Sequence, residues 1–463
     1  MITHVRSALV ATMVLALGGC SLRAPYQAPR TAPANLKSID PAVFVAQPYD
    51  ARWWKQFDDP VLEQLETDAL QSNLDVQIAI SRVNQARAVF DDVALDRYPI
   101  VTVEGSVDRR EQVIPGFTEQ PIRTSTYSAG FDAFWEIDLF GRVRSAMRAA
   151  SATAASFAAT LDDVRVSVAA EVARNYFELR GLQQQLAVAE RSLANQQETL
   201  RLTRVRRDAG VGEEQDVASA AARVAAIEAS FPPLRTAIAA RRHRIAVLTS
   251  RRPGDLTVDL APRSYPPIAK ALPLGDPASL LQRRPDVRAA ERSVAAAAAR
   301  EGVAAAELFP RVSISGFLGF LAGRGSMFGS ADSRAWAVTP ALSWAAFDLG
   351  SARARLRGAK AGSDEVVAAY EQTVLQALEE TENALIAYRE EQERLVKLTD
   401  QARESTRAAA IARARYREGV ADFLALLDAE RTQLQAEDAV AQAEAGVYTG
   451  VVAVYKAFGG IVR

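Results

Sequence analysis

Apolar residues along this chain follow two periods in turn, and the alternation of periods occurs twice. From Leu62 they follow a spacing of three and four, first through Leu62, Leu65 and Ala69 with Leu70 adjacent, then through Val76, Ile80 and Val83, which places them on one face of an α-helix. That helix is expected to stop near Tyr98, since Pro99 disfavours helical backbone in the residue before it. The period then falls to two. VTVEGSV sets Val101, Val103, Gly105 and Val107 on one side, and STYSAGFDAFWEID sets Tyr127, Ala129, Phe131, Ala133, Trp135 and Ile137 on one side, the alternation of strands whose two faces meet different surroundings. Two further strands are predicted from Val312, Ile314, Gly316, Leu318 and Phe320, and from Trp336, Val338, Pro340, Leu342 and Trp344. The stretches joining the strands of each pair hold proline, glycine and charge, and read as exposed loops.

After each strand pair the helical period returns and persists. No proline occurs from Gly141 to Asp208 or from Ser351 to Glu418, 68 residues in each case. If continuous, each stretch extends ~100 Å at ~1.5 Å per residue, far more than a globular core needs. The two stretches close on related sequences, RVRRDAGV (Arg204 to Val211) and RARYREGV (Arg413 to Val420), with Arg, Arg, Gly and Val in register. Gly210 and Gly419 stand where a helix ends in a left-handed residue, so each rod is expected to turn there and return.

The same plan is therefore written twice. Displaced by 211 residues, Asp75 to Gly105 lies on Asp286 to Gly316 without a gap, and ten of 31 positions are identical. Small residues inflate that score, but Pro99 on Pro310 and Gly105 on Gly316 do not depend on composition. The predicted organisation is a first repeat over 60–252, with a β-hairpin at about 100–138 and a helical hairpin at about 141–250 turning near 208–213. A Pro-rich connector follows at 253–277. The second repeat covers 278–463, with a β-hairpin at about 311–348 and a helical hairpin at about 351–457 turning near 417–422. Each strand is long enough to cross a bilayer when tilted, with Trp135, Trp336 and Trp344 as interface residues; a small soluble sheet is the alternative. Two hairpins supply too few strands to close a barrel, so a membrane role requires several chains to share one.

Composition adds an address. MITHVRSALVATMVLALGGCS has a basic start, a short apolar run and small residues before Cys20, the layout of a secretory signal over 1–19. Cys20 is the only cysteine and follows LGG, so LGGC resembles a lipoprotein box. That resemblance implies acylation of Cys20, with 20–59 as a lipidated N-terminal segment and Ser21 compatible with outer-membrane sorting. No disulfide framework is possible. A formal charge of −1 gives no reason to expect nucleic acid. Enzymatic chemistry is poorly served: His243 in ARRHRIAV reads as a surface position, GFLGFLAGRG lacks the lysine of a phosphate loop, and LEETENAL reads as a solvated helix face. No cofactor or metal is implied.

WWKQFDDPVLEQL, NLDVQIAISRVNQARA, LLQRRPDVRAAERSVAAAAAREGVAAAELFPRVSISG, FDLGSARAR and the ending YKAFGG resemble the OprM/NodT lipoprotein branch of TolC-type outer-membrane efflux channels, over nearly the whole mature chain. The resemblance implies a mainly α fold with a membrane β-barrel: a homotrimer with one 12-strand barrel and a 12-helix periplasmic α-barrel. Its implied partners are outer-membrane lipid, a periplasmic adaptor (membrane fusion protein) and an inner-membrane RND pump. It implies passive, gated conduction of small molecules; export of proteins for an ABC exporter is the alternative, and a periplasmic coiled-coil scaffold the third. Acidic residues just past the second tip line the channel entrance in this family; Asp428 matches one such position, Ala425 stands where TolC carries a second Asp, and Asp216 is the counterpart after the first tip. Arg206, Arg413, Arg415, Tyr416 and Arg417 are placed to hold a gate shut. The pairs Gly210–Val211 and Gly419–Val420 match the family's adaptor-docking tips.

Overall fold

The computed structural model describes residues 26–28, 36–47, 52–117, 119–266, 268 and 271–460; the predicted signal peptide and Cys20 lie outside the described residues. Two compact units are distinguished, one made of 1–30, 82–157 and 289–371, the other of 31–81, 158–288 and 372–463. Each unit thus draws on both halves of the sequence. Among the described residues no helix is long and apolar enough to cross a membrane.

The first unit carries a four-stranded antiparallel sheet in the order β1 (Ile100–Gln112), β2 (Ile122–Ile137), β3 (Arg311–Ala322), β4 (Arg334–Ser343). Its register runs straight across: Val103 lies opposite Phe131, Phe131 opposite Leu318 and Leu318 opposite Trp336. Two rows along on the same side, Trp135 lies opposite Ile314 and Ile314 opposite Pro340. Directly opposed residues point to the same side, so the four alternating sets read from the sequence share one face. That face is apolar and bare, with Val103 75% and Trp336 77% exposed. The other face carries Thr102, Glu104, Ser106, Asp132, Ser315 and Thr339 beside Phe134 and Phe317.

Each hairpin is tied to the helix before it by one indole. Trp135 Nε1 donates to the Arg97 carbonyl at 3.0 Å and Trp344 Nε1 to the Leu308 carbonyl at 3.1 Å. Both acceptors sit two residues before a proline, Pro99 or Pro310, where the helical ladder has run out and a carbonyl is left for another donor. After β2, the Asp138 carboxylate accepts the amides of Val143 and Arg144 at 3.1 and 2.9 Å, capping the long helix that follows.

α1 (Pro60–Ser72) and α2 (Leu74–Leu95) precede the first hairpin, and the stretch expected as one helix is broken between them. Asn73 is the reason. Its Oδ1 accepts the Asp75 and Val76 amides, starting α2, while its Nδ2 donates to the Leu248 carbonyl at 2.9 Å. α3 (Arg142–Asp208) is a continuous helix of 67 residues, and its return is split into α4 (Glu214–Glu228) and α5 (Phe231–Leu248). Pro232 and Pro233 lack the N–H groups that would carry the ladder through, and they are tolerated in the first turn of α5. In the second half α6 (Pro285–Ala306) leads into the sheet, α7 (Leu349–Arg417) runs for 69 residues, and α8 (Phe423–Ala457) returns unbroken.

The second unit is built on aromatic rings. Trp53 stacks on Tyr455 at 5.3 Å, Phe57 meets Phe177 edge-on at 4.8 Å, and Tyr265 stacks on Tyr448 at 4.4 Å. Arg284, 211 positions after Asn73, does the same work with a longer side chain: Nη1 donates to the Ala457 carbonyl at 2.7 Å and Nη2 pairs with Asp286 and Glu380, each at 2.7 Å. Beside this cluster, burial and then the Asp286 charge push the Asp163 carboxyl up from 3.8 to about 6, with Arg284 and Lys456 opposing. A carboxyl raised in the folded state binds protons more tightly there, so the contribution of Asp163 to stability is greatest below pH 4 and is lost as pH rises toward 6. Asp163→Asn is expected to stabilise the protein by up to about 3 kcal/mol at pH 7.5 and to change nothing at pH 4. Thermal unfolding followed by circular dichroism at both pH values checks it; an equal shift at the two would refute the assignment.

Candidate functional site: the helical tips

Both long helices end in the same six-residue hydrogen-bond motif. The Gly210 amide donates to the Arg207 carbonyl at 2.8 Å and Val211 to Arg206 at 3.0 Å; Gly419 donates to Tyr416 at 3.1 Å and Val420 to Arg415 at 3.0 Å. Gly210 and Gly419 have φ of +76° and +78°, the left-handed conformation this cap demands. Val211 and Val420 are 66% and 61% exposed. Each tip therefore presents a turn of bare backbone next to an exposed valine.

A small core holds the two tips together. Leu200, Val217, Ala220, Tyr416, Phe423 and Leu426 are buried against one another, and the Tyr416 and Phe423 rings lie 5.9 Å apart. Tyr416 was expected to offer its hydroxyl to a rearrangeable gate contact. The side chain is 2% exposed and its hydroxyl lies 3.3 Å from Thr203 Oγ1 of α3. Arg206 lies over the Tyr416 ring at 4.7 Å and donates from Nη1 to the Tyr416 carbonyl at 2.6 Å, joining the end of α3 to the end of α7. Asp422 caps α8 by accepting the Ala425 amide at 2.7 Å.

One contact at the tips was not expected from the sequence. Glu430 is 8% exposed, yet it pairs with Arg413 at 2.9 Å and accepts the Thr199 hydroxyl at 3.1 Å. Three helices, α3, α7 and α8, meet on that carboxylate. Arg223 of α4 lies near it, its guanidinium pushed below its ordinary range by burial and then by Arg431, with Glu430 opposing. The signal was available: Phe423, Leu426 and Glu430 step by three and four, so Glu430 occupies an apolar-stripe position.

The remaining candidates lie on the surface. Arg415 and Arg417 are exposed, and Arg417 helps lower the Glu198 carboxyl, whose main stabiliser is Arg201. Asp428 is exposed and paired with Arg431 one turn on, at 2.5 Å. Asp216 lies in the first turn of α4, half-buried. Arg207 braces the first turn through Asp208 at 2.6 Å and Glu214 at 3.0 Å.

Comparison with known proteins gives this architecture a family. The model of the outer membrane efflux protein family matches the chain twice, over 65–250 and 277–460. The antibiotic efflux pump outer membrane protein ArpC of Pseudomonas putida is 32% identical over 463 residues, covering 97% of this chain and 94% of that protein. Nodulation protein T of Rhizobium leguminosarum bv. trifolii is 29% identical, covering 84% of each chain. The solved structure of the outer-membrane channel OprN superposes with a TM-score of 0.93 at 52% identity, covering 95% of this chain and 99% of that one. With its bare apolar sheet face and its long paired helices, the chain belongs to the outer membrane efflux protein family, a class of outer-membrane channels and not of enzymes.

Proposed function

We propose that three copies of this chain close one twelve-stranded barrel in the outer membrane, continued by a twelve-helix tunnel in the periplasm. One observation carries the reading: β1 and β4 are the edges of the sheet, β1 is thirteen residues long, and the face they share is apolar over Val101–Val107 of β1 and Trp336–Leu342 of β4. Long apolar edges are unstable alone and invite pairing. With an even number of strands β1 and β4 run in opposite directions, so β4 of one copy can extend the antiparallel pattern onto β1 of the next. The apolar face then meets lipid and the Thr, Ser and acidic face lines the lumen.

The channel conducts passively. Small molecules reach it from a proton-driven inner-membrane pump of the RND type through a periplasmic adaptor that grips Gly210–Val211 and Gly419–Val420. Carboxylates of Asp216 and Asp428 from three copies form rings at the entrance that favour cations. The Arg413–Glu430 pair and the Arg206–Tyr416 contact hold the tips in register, with Arg415 and Arg417 free to pair across copies. Cys20 carries the lipid anchor. The name of ArpC, an antibiotic efflux protein, favours small drug-like cargo.

Cross-linking in native membranes, affinity capture and mass spectrometry test this. Three copies of the chain with an adaptor and a proton-driven exchanger are expected. An ABC exporter in place of the exchanger would move the protein to protein secretion, and a single copy in a soluble fraction would overturn the channel.

A further inference from the structure

The apolar face of the sheet ends in arginine at one border only. On β1 it runs through Val101, Val103, Gly105 and Val107, and the next residue in phase is Arg109. On β4 it runs from Leu342 back to Trp336, and the next in phase is Arg334, opposite Phe320. On β2 the series from Ile137 to Tyr127 is followed by Ser125 and then Arg123. On β3 it closes at Ala322, and Arg324 stands two residues beyond on extended backbone. All four arginines are exposed, and all lie at the loop ends of the hairpins. At the helix ends the same alternation arrives at Pro99, Leu139, Pro310 and Trp344, with no charge among them.

The two borders are a membrane's height apart. Val312 to Ala322 is ten residues, ~33 Å of strand at ~3.3 Å per residue. A strand tilted by ~40° turns that into ~25 Å along the membrane normal, the height of the apolar band of an outer-membrane barrel. An arginine facing lipid is costly in the middle of such a band and nearly without cost at its border.

The arginine border is also shaped. Phe328, from the loop between β3 and β4, lies 6.3 Å from the Phe320 ring and 6.5 Å from the Tyr127 ring, so an aromatic floor reaches from β2 to β3. Arg109 donates to the Tyr127 hydroxyl at 3.4 Å. Among the described residues only Arg123 of the four is ion-paired, with Glu111 at 2.9 Å. Three guanidinium groups per copy therefore face outward with their charge uncompensated.

We infer that this rim binds the phosphate groups of the anionic glycolipid of the outer leaflet. The planar guanidinium fork suits phosphate oxygens, and the aromatic floor suits the boundary between headgroup and acyl chain. The inference rests on the barrel reading above, in which the tunnel leaves from the helix ends and β4 of one copy adjoins β1 of the next. Arg334 of one copy and Arg109 of the next then stand on the two strands of each seam, on the same lipid-facing side. A headgroup with two phosphates is held there by two copies at once, so the lipid ties the oligomer together.

Native mass spectrometry of the purified oligomer, titrated with diphosphorylated lipid A and with its dephosphorylated form, tests this. Wild type is expected to hold the diphosphorylated lipid about twentyfold more tightly, at about fivefold for each of two arginines engaged. Changing Arg109, Arg324 and Arg334 together to glutamine is expected to bring the two lipids within about twofold of each other. Arg109→Gln and Arg334→Gln singly are expected to weaken the diphosphorylated lipid about fivefold each, and they decide the matter if the triple variant does not assemble. Arg110, on the opposite face of β1 and paired with Asp108 at 2.8 Å, is the control, and Arg110→Gln should leave the preference unchanged. A wild type that does not distinguish the two lipids, variants that keep the full preference, or an equal loss in Arg110→Gln would overturn the rim. A chain that yields no heat-stable oligomer from outer membranes would overturn the barrel reading itself, whereas an oligomer without a phosphate preference would overturn the rim alone.

Discussion

Replacing Gly210 and Gly419 together by glutamate is expected to abolish transport while the oligomer still assembles. Both residues are left-handed, and their space is open: no atom lies within 4 Å of a Cβ built on Gly210, and the nearest to one on Gly419 is an Arg206 guanidinium nitrogen at 3.8 Å. The structural cost is therefore the backbone strain of a non-glycine residue, about 1 kcal/mol at each site, confined to the turn. The functional cost is larger, because a charged side chain on each tip blocks close approach of another backbone and must be desolvated when a partner docks. The double asparagine variant separates the two, since asparagine accepts the left-handed conformation without adding charge. Accumulation of a fluorescent dye in cells reads transport, and the heat-stable band on a gel reads assembly. The glutamate pair should match a deletion strain in accumulation, and the asparagine pair should stay near wild type. Normal transport in the glutamate pair would refute tip docking, and equal loss in both pairs would assign the effect to the turn.

Where a single local rule governs, the sequence was enough to place an element. Strand faces followed from alternation, because a pleated strand has a period of two and one face here is apolar over Val101–Val107 and its partners across the sheet. The ends of α3 and α7 followed from one glycine each, because the left-handed cap excludes most other residues. Elements set by tertiary contacts were hidden. The break at Asn73 depends on the Leu248 carbonyl, which lies far along the chain, and the corresponding break before α6 is held by an arginine, so no shared residue type marks the pair. The final caps of the two halves show the same disguise: the Gly459 amide donates to Lys456 and Gly460 to Tyr455, while Ser250 donates to Val247 and Arg251 to Ala246. Ser250 takes φ +56° where its counterpart is Gly459 at +72°. At the tips, the place of Glu430 on the stripe of Phe423 and Leu426 marks it as buried, but its partners Thr199 and Arg413 come from two other helices, which no single-helix pattern contains.

Gly319→Val is expected to prevent assembly, whereas Gly316→Val, three residues away on the opposite face, is expected to be tolerated. Gly319 lies opposite Gly130 in the pairing of β2 with β3. A Cβ on Gly319 would stand 2.3 Å from the Ala129 carbonyl oxygen and 2.5 Å from the Gly130 Cα. Both obstacles are backbone, so no side chain can swing aside, and the strands must separate. Gly130 is constrained in the same way, its Cβ falling 2.6 Å from the Leu318 carbonyl oxygen. β2 with β3 is also the pairing that unites the two hairpins into one sheet, so separation there leaves two isolated hairpins, each marginal alone. At Gly316, on the apolar face, a Cβ would meet only the Ala337 carbonyl oxygen at 3.5 Å and the Ala133 Cβ at 3.9 Å, ordinary contacts that a branched residue fills well. Overpacking that cannot relax costs about 1–3 kcal/mol or more, enough for a fall of about tenfold in heat-stable oligomer for Gly319→Val. The Gly316 variant should stay within about twofold, since branched residues suit a pleated surface. Recovery of both variants at wild-type levels from washed outer membranes would mean that the close approach of β2 and β3 is not required, and would remove the main reason for glycine at both positions.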